Sequence, residues 1–522
     1  MFWPPAVLLL AALLYSVIDF EGFHAGASAA NQWILNRFDW LFSYASFGAV
    51  CLVIWVAISP LGGVRIGGPD AKPVLSRWNW FAITLCTTVA IGILFWGVAE
   101  PIYHLNGPPP FADAEARSES ASRFAISTLF MHWTFTPYAI YSVPALAFAL
   151  AHFNLGKDYS LSGPLSILTG ARHGDTGRLG SLIDAVGLYA LVAGVAASLG
   201  VGVMTLSGGA ERIFGISDGA GVRFVITVAI VSVFVMSSIS GIQRGIRILS
   251  DINVKFFFLV AIFLLIAGPT AEILSLGVLG LRDYVFDFLP NSLALGDRAG
   301  SPWMRDWTVF YFANWLAWAP ITAMFLGRIS VGYTVREFLL FNLAAPAMFG
   351  GFWMMTFGGA AIAVDGETNG SITQALTDLG PNAAIYALFD AFPLAAATIS
   401  IFMVLTFISF VTAMDSNTHS ISRVCLKTSS DDRSEPTSDF AVKIFWGVLV
   451  GAVAWVMTST TGIDGVRMLS NLGGAPGLVI LIASGAVIIV MRVRWLDQLH
   501  KGSLSRLPPK PEELPASQGQ AR

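Results

Sequence analysis

About twelve stretches of this chain are apolar and long enough to cross a lipid bilayer, and no other feature restricts its fold so far. They fall near residues 3–20, 40–60, 79–99, 124–152, 185–206, 222–240, 254–275, 307–327, 338–364, 388–414, 440–458 and 474–491. Transmembrane β-barrels are written in short alternating strands. These runs are continuous Leu, Ala, Val, Ile and Phe, so the expected fold class is an all-α integral membrane protein. Composition agrees. Only 12% of residues are charged, against roughly a quarter in soluble domains.

Lys and Arg fall in alternate loops. Arg65, Lys72 and Arg77 follow the second span, Lys157, Arg172 and Arg178 the fourth, Arg244, Arg247 and Lys255 the sixth, and Arg328 and Arg336 the eighth. Arg423, Lys427, Arg433 and Lys443 follow the tenth, and Arg492 and Arg494 the twelfth. The loop with Asp365, Glu367 and Asp378 has no basic residue. By the positive-inside rule both termini are cytoplasmic. The first span lacks a small-residue cleavage site and reads as a retained helix. Cys51, Cys86 and Cys425 indicate neither a disulfide nor a metal framework.

The expected organisation is two N-terminal helices in 1–75, five spans in 76–278, an amphipathic interfacial helix and five more spans in 279–495, and a disordered cytoplasmic tail in 496–522. Ten spans after the first two divide into two fives, and an odd number per half inverts one half against the other. In such folds the first helix of each half is broken near midplane. Those helices carry 95-FWGVAEP-101 and 314-NWLAWAP-320, each with Trp five residues before Pro.

The run 306-DWTVFYFANWLAWAP-320 crowds aromatic faces into a membrane span, and aromatic faces attract desolvated cations. A second cluster, 133-WTFTPYAIY-141, sets Tyr138 and Tyr141 three residues apart on one helical face, with Trp133 close by. Together with 92-GILFWGVAEPIYHLNGPP-109, 194-GVAASLGVGVMTLSGG-209 and 240-SGIQRGIRILSDIN-253, these stretches resemble the betaine/choline/carnitine transporter family along nearly the whole chain. The resemblance implies a LeuT-type fold of two extra helices plus a five-plus-five inverted repeat, a homotrimer, and the bacterial inner membrane. It also implies import of a quaternary ammonium or related onium substrate. A trimethylammonium group has no N–H to donate and is held by shape and π faces. The family's aromatic box maps onto Trp133, Tyr138, Tyr141 and Trp315, with Trp318 and Phe312 close by. Asn314 stands where the family usually has Trp, which replaces an aromatic wall with an amide.

Sodium needs about six oxygen ligands, supplied in such folds by unwound carbonyls and hydroxyls. The family's site maps onto Val89 and Ala90 in the third span and onto Thr412 and Ala413 in the tenth. Thr412 keeps one hydroxyl and Ala413 lacks the other. Sodium coupling is the leading expectation, with proton coupling or exchange as rivals. No cofactor beyond a possible sodium ion is expected, and no nucleic-acid partner.

Among ionisable groups inside spans, Glu100 and Asp415 are each open to a structural or an ion-control role, and His132 is read as a packing residue. A membrane-embedded enzyme would need clustered His or carboxylates at midplane, and the seven His are scattered in sequence. The chain also lacks a channel filter motif and a GxxxxGK[ST] phosphate loop. It is therefore read as a secondary transporter and not as an enzyme.

Overall fold

The computed structural model describes residues 2–89, 92–169, 177–239, 243–426 and 437–500. Ten of its helices are long and apolar enough to span a membrane, or eleven when one bent pair is counted as a single span. The difference from about twelve lies at the N-terminus. Helix α1 (Trp3–Ile18) is apolar but has 16 residues, about 24 Å of rise against a hydrocarbon core of about 30 Å. Helix α2 (Phe20–Ile58) follows at once, its first turn capped by Asp19, whose carboxylate accepts from the Gly22 amide at 2.9 Å.

The first half then comprises α3 (Arg77–Thr88), α4 (Gly92–Asn106), α5 (Glu119–Trp133), α6 (Phe135–Ala149), α7 (Gly177–Phe214), α8 (Ala220–Ile239) and α9 (Gln243–Ala267). After α10 (Thr270–Phe286), the second half comprises α11 (Phe310–Ile329), α12 (Ala345–Glu367), α13 (Ala395–Leu426), α14 (Thr437–Thr460) and α15 (Ile463–His500). Among the described residues there is no strand, only an isolated bridge between Arg65 and Thr334. The expected tail lies outside the described residues from 501 onward.

Packing partners exchange between the halves. Helix α3 packs on α9 as α11 packs on α15, and α4 packs on α12 as α6 packs on α11. Likewise α7 on α15 matches α9 on α13, while α7 on α13 and α8 on α14 map onto themselves. That exchange is what two five-span halves related by a twofold produce, and five spans per half make the relation an inverted one.

The breaks are distributed differently from the expected pattern. The third span is broken as expected: α3 and α4 meet at a 56° bend across residues 89–91. The eighth is continuous, with α11 running through Pro320 after a π turn at Arg305–Val309. A proline inside a membrane helix is tolerated where neighbours satisfy the freed backbone. The other break falls in the fourth span, at Thr134 (φ −115°, ψ −121°), between α5 and α6. Pro137 in the first turn of α6 favours this restart, since the amide it lacks would have had no partner there.

Candidate functional site

The break at Thr134 shapes the centre of the molecule. A continuous helix would spend the His132 carbonyl on an amide four residues ahead. Here that carbonyl accepts from the Trp315 indole Nε1 at 3.1 Å, which pins α11 to the end of α5. The Trp133 carbonyl lies so close to Gly350 of α12 that a Cβ there would sit 2.5 Å away. A broken helix thus exchanges internal hydrogen bonds for contacts that fix two neighbours.

Around the Trp315 indole the structure gathers Trp133 (centroids 5.4 Å, 82°), Tyr138 (6.1 Å, 48°) and Tyr141 (5.6 Å, 85°). All four are at most 3% exposed. Neither tyrosine hydroxyl hydrogen-bonds to a described residue. Four aromatic faces set at differing angles form the kind of cage that receives a cation without hydrogen-bond donors.

The remaining expected substrate residues sit apart from this cage. The Trp318 indole Nε1 donates to Ser198 of α7 at 3.1 Å. Phe312 is fully buried and makes no ring contact with a described residue. Asn314 accepts a hydrogen bond from Ser470 of α15 at 3.0 Å, so its amide is engaged between two helices.

Of the expected ion ligands, Val89 closes α3 and is buried. Ala90 lies outside the described residues. On α13 the Thr412 hydroxyl donates to the carbonyls of Ile408 (2.9 Å) and Ser409 (3.0 Å). Ala413 is fully buried, and its carbonyl accepts from the Asn417 amide at 2.8 Å.

Sequence reasoning missed the assembly on the other side of Trp133. Glu100 is fully buried and receives four groups from three helices. Its Oε2 accepts from Trp133 Nε1 at 2.8 Å and from the Tyr311 hydroxyl at 2.5 Å. Its Oε1 lies 2.6 Å from His132 Nδ1 and 3.4 Å from His104 Nε2. His132 Nε2 is 3.0 Å from Thr308 Oγ1. His132 is thus hydrogen-bonded at both ring nitrogens. Glu100 and His104 share a face at i and i+4, a signal the sequence carries, but no spacing reveals that His132 and Tyr311 converge on them.

Glu100, His104 and His132 offer three ligand atoms within 4.8 Å of one another, enough to consider a metal ion. The 2.6 Å separation of Oε1 and Nδ1 is instead that of a strong hydrogen bond. Two ligands about 2.1 Å from one tetrahedral ion would stand further apart. The trio is a hydrogen-bonded cluster.

Comparison with known proteins places this architecture. The model of the BCCT, betaine/carnitine/choline family transporter, matches residues 1–495. Glycine betaine transporter 1 of Vibrio parahaemolyticus is 32% identical over 89% of this chain and 86% of its own. The ectoine/hydroxyectoine transporter of Virgibacillus pantothenticus is 31% identical over 92% of each. A solved Na+-coupled sialic acid symporter is similar over 86% of this chain and 97% of its own, at 13% identity and a TM-score of 0.49. The relatives are named as transporters, in keeping with the non-enzymatic reading. With a family model covering nearly its full length and relatives above 30% identity, the chain belongs to the betaine/carnitine/choline transporter family.

Proposed function

We propose that this protein is a secondary transporter that imports an onium compound across a bacterial inner membrane by alternating access, with both termini cytoplasmic. The observation that carries the reading is the convergence of Trp133, Tyr138 and Tyr141 on Trp315 inside the helix bundle. Such a cage suits a trimethylammonium head, which offers charge and apolar surface and no donor. Relatives named for glycine betaine and for ectoine support a compact solute that carries a cationic head beside a carboxylate as the class. Trp318 and Phe312 shape the walls beyond the cage. Asn314 tunes the approach of α11 to α15.

Sodium is the leading driver, through a site formed by the bend near Val89 and Ala90 and by Thr412 on α13. One observation favours a second reading, a proton-coupled carrier or an exchanger. Ala413 contributes no hydroxyl, and the carbonyl behind it is already taken by Asn417. The assembly is read as a homotrimer on the family resemblance. Uptake of a panel of radiolabelled oniums into proteoliposomes under imposed sodium or proton gradients tests all of this. Accumulation of no onium under any gradient, and no exchange against a preloaded onium, overturns the reading.

A further inference from the structure

Glu100 is a carboxylate buried completely inside a membrane-spanning bundle. Burying an unpaired charge in such a place is expensive, and ionisable groups retained there serve a purpose. Its ion-pair partners among the described residues are two histidines. No Lys or Arg among the described residues is ion-paired with it. Arg467 is instead held over the rings of Trp307 (4.7 Å), Phe310 (5.5 Å) and Trp96 (5.6 Å).

What the carboxylate touches matters most. Trp133 Nε1 can only donate, and it donates to Glu100 Oε2 at 2.8 Å. The same oxygen takes the Tyr311 hydroxyl, and the Tyr311 ring lies 5.2 Å from that of Trp133. The Trp133 ring also packs against Trp315, 5.4 Å between centroids, in the aromatic cage. One indole therefore joins a buried anion to the aromatic cage. An N–H polarised by an anion pushes electron density into the indole, which makes its face more negative and more attractive to a cation. In a medium of low dielectric the anion also acts directly across that short distance.

We propose that Glu100 is the counter-charge of the aromatic cage, a positioning residue that acts through Trp133 and makes the site select formal positive charge over shape. The inference rests on the onium reading above and deepens it. The ring faces alone favour a trimethylammonium group over a tert-butyl group of the same shape. Glu100 behind Trp133 widens that preference.

The test pairs each onium with its carbon isostere: glycine betaine with 3,3-dimethylbutanoate, and choline with 3,3-dimethylbutan-1-ol. Binding to the purified full-length protein is measured by calorimetry. For the onium that the wild type binds, the expected preference over its isostere is about tenfold or more. In Glu100→Gln that ratio collapses by about tenfold while the isostere's affinity moves by less than about threefold. Glu100→Asp keeps the charge and retains most of the ratio. Equal weakening of onium and isostere, or an unchanged ratio in Glu100→Gln, overturns the proposal and leaves Glu100 a structural residue.

A second comparison holds even if Glu100→Gln fails to fold. Trp133→Phe and Trp315→Phe make the same change in the same cage, but only Trp133 is bonded to Glu100. The ratio should fall further in Trp133→Phe. Equal falls overturn the counter-charge. A wild-type protein that binds no onium of the uptake panel overturns the transport reading itself, a different failure from one in which onium binds and the ratio ignores Glu100.

Discussion

Three rings meet the Trp315 indole, and the same indole ties α11 to the His132 carbonyl exposed by the break at Thr134. Trp315→Ala removes a face worth about 1 to 2 kcal/mol to a desolvated cation, so onium affinity should fall by about tenfold or more. Trp315→Phe keeps a face and should retain partial binding. Titration of size-exclusion-homogeneous protein checks this, and unchanged affinity in Trp315→Ala means that the cage is elsewhere. The convergence of Trp133, Tyr138 and Tyr141 on Trp315 was foreshadowed in the sequence because aromatics clustered inside a span stand out. Glu100 was legible only as an oddity, since its partners come from α4, α5 and α11. No local pattern encodes their meeting. Asn314 marks the opposite limit: its identity is readable, but its bond to Ser470 depends on where α15 lies.

Between elements, the closest approach of the site helices is made by small residues. Built at Gly474 of α15, a Cβ would lie 2.4 to 2.7 Å from three backbone atoms of Ala313 on α11, and at Gly477 it would lie 2.1 Å from the Leu316 carbonyl oxygen. Backbone has no side-chain rotamer by which to yield. Gly474→Ala should therefore cost about 1 to 3 kcal/mol by forcing α15 away from α11. Gly485→Ala, whose Cβ would meet only Leu52 Cδ2 at 3.4 Å, should melt within a few tenths of wild type on the same scale. Equal melting of the two variants in detergent would contradict so tight a crossing. Elsewhere, Asp218 in the α7–α8 connection accepts from Ser207 (2.6 Å) and Arg223 Nε (2.8 Å) and faces Asn382 at 3.4 Å. Burial pushes this carboxyl up, but the Arg223 and Ser207 bonds outweigh it and hold the group below its ordinary value of 3.8. A depressed folded value means that its stability contribution is complete above that ordinary value and is lost as pH falls through the folded one. Melting of Asp218→Asn should lag wild type near neutral pH, and the gap should close as the medium is acidified below about pH 4. A gap that stays constant would assign the loss to packing. The spans themselves were readable from length and hydropathy, but the site of each break was not. Pro320 looks like a breaker and is carried within α11, while Thr134, an ordinary residue, marks the real interruption because neighbouring helices satisfy what it frees.

At the scale of the whole molecule, the proposed coupling of the site to an ion runs through the relation between the two halves. Helix α3 packs on α13 as α11 packs on α7, so a site between the end of α3 and α13 would lie between the two halves. Any ion held there would feel both halves and so favour one arrangement of them. Thr412 carries the one hydroxyl of this pair and donates its proton back to the carbonyls of Ile408 and Ser409. Ala413 is fully buried and adds none. With one neutral ligand missing from about six, sodium should bind weakly, and uptake should depend shallowly on sodium or require high concentrations. Ala413→Ser restores an oxygen with little added volume. Its uptake should reach half-maximum at a lower sodium concentration, by about tenfold if the new ligand contributes about 1.4 kcal/mol. Initial rates in proteoliposomes across a sodium series measure this directly. Equal uptake without sodium in wild type, together with no response in Ala413→Ser, would mean that no sodium acts at this bend. A proton gradient or an outward-moving counter-substrate would then be the force that turns the two halves over.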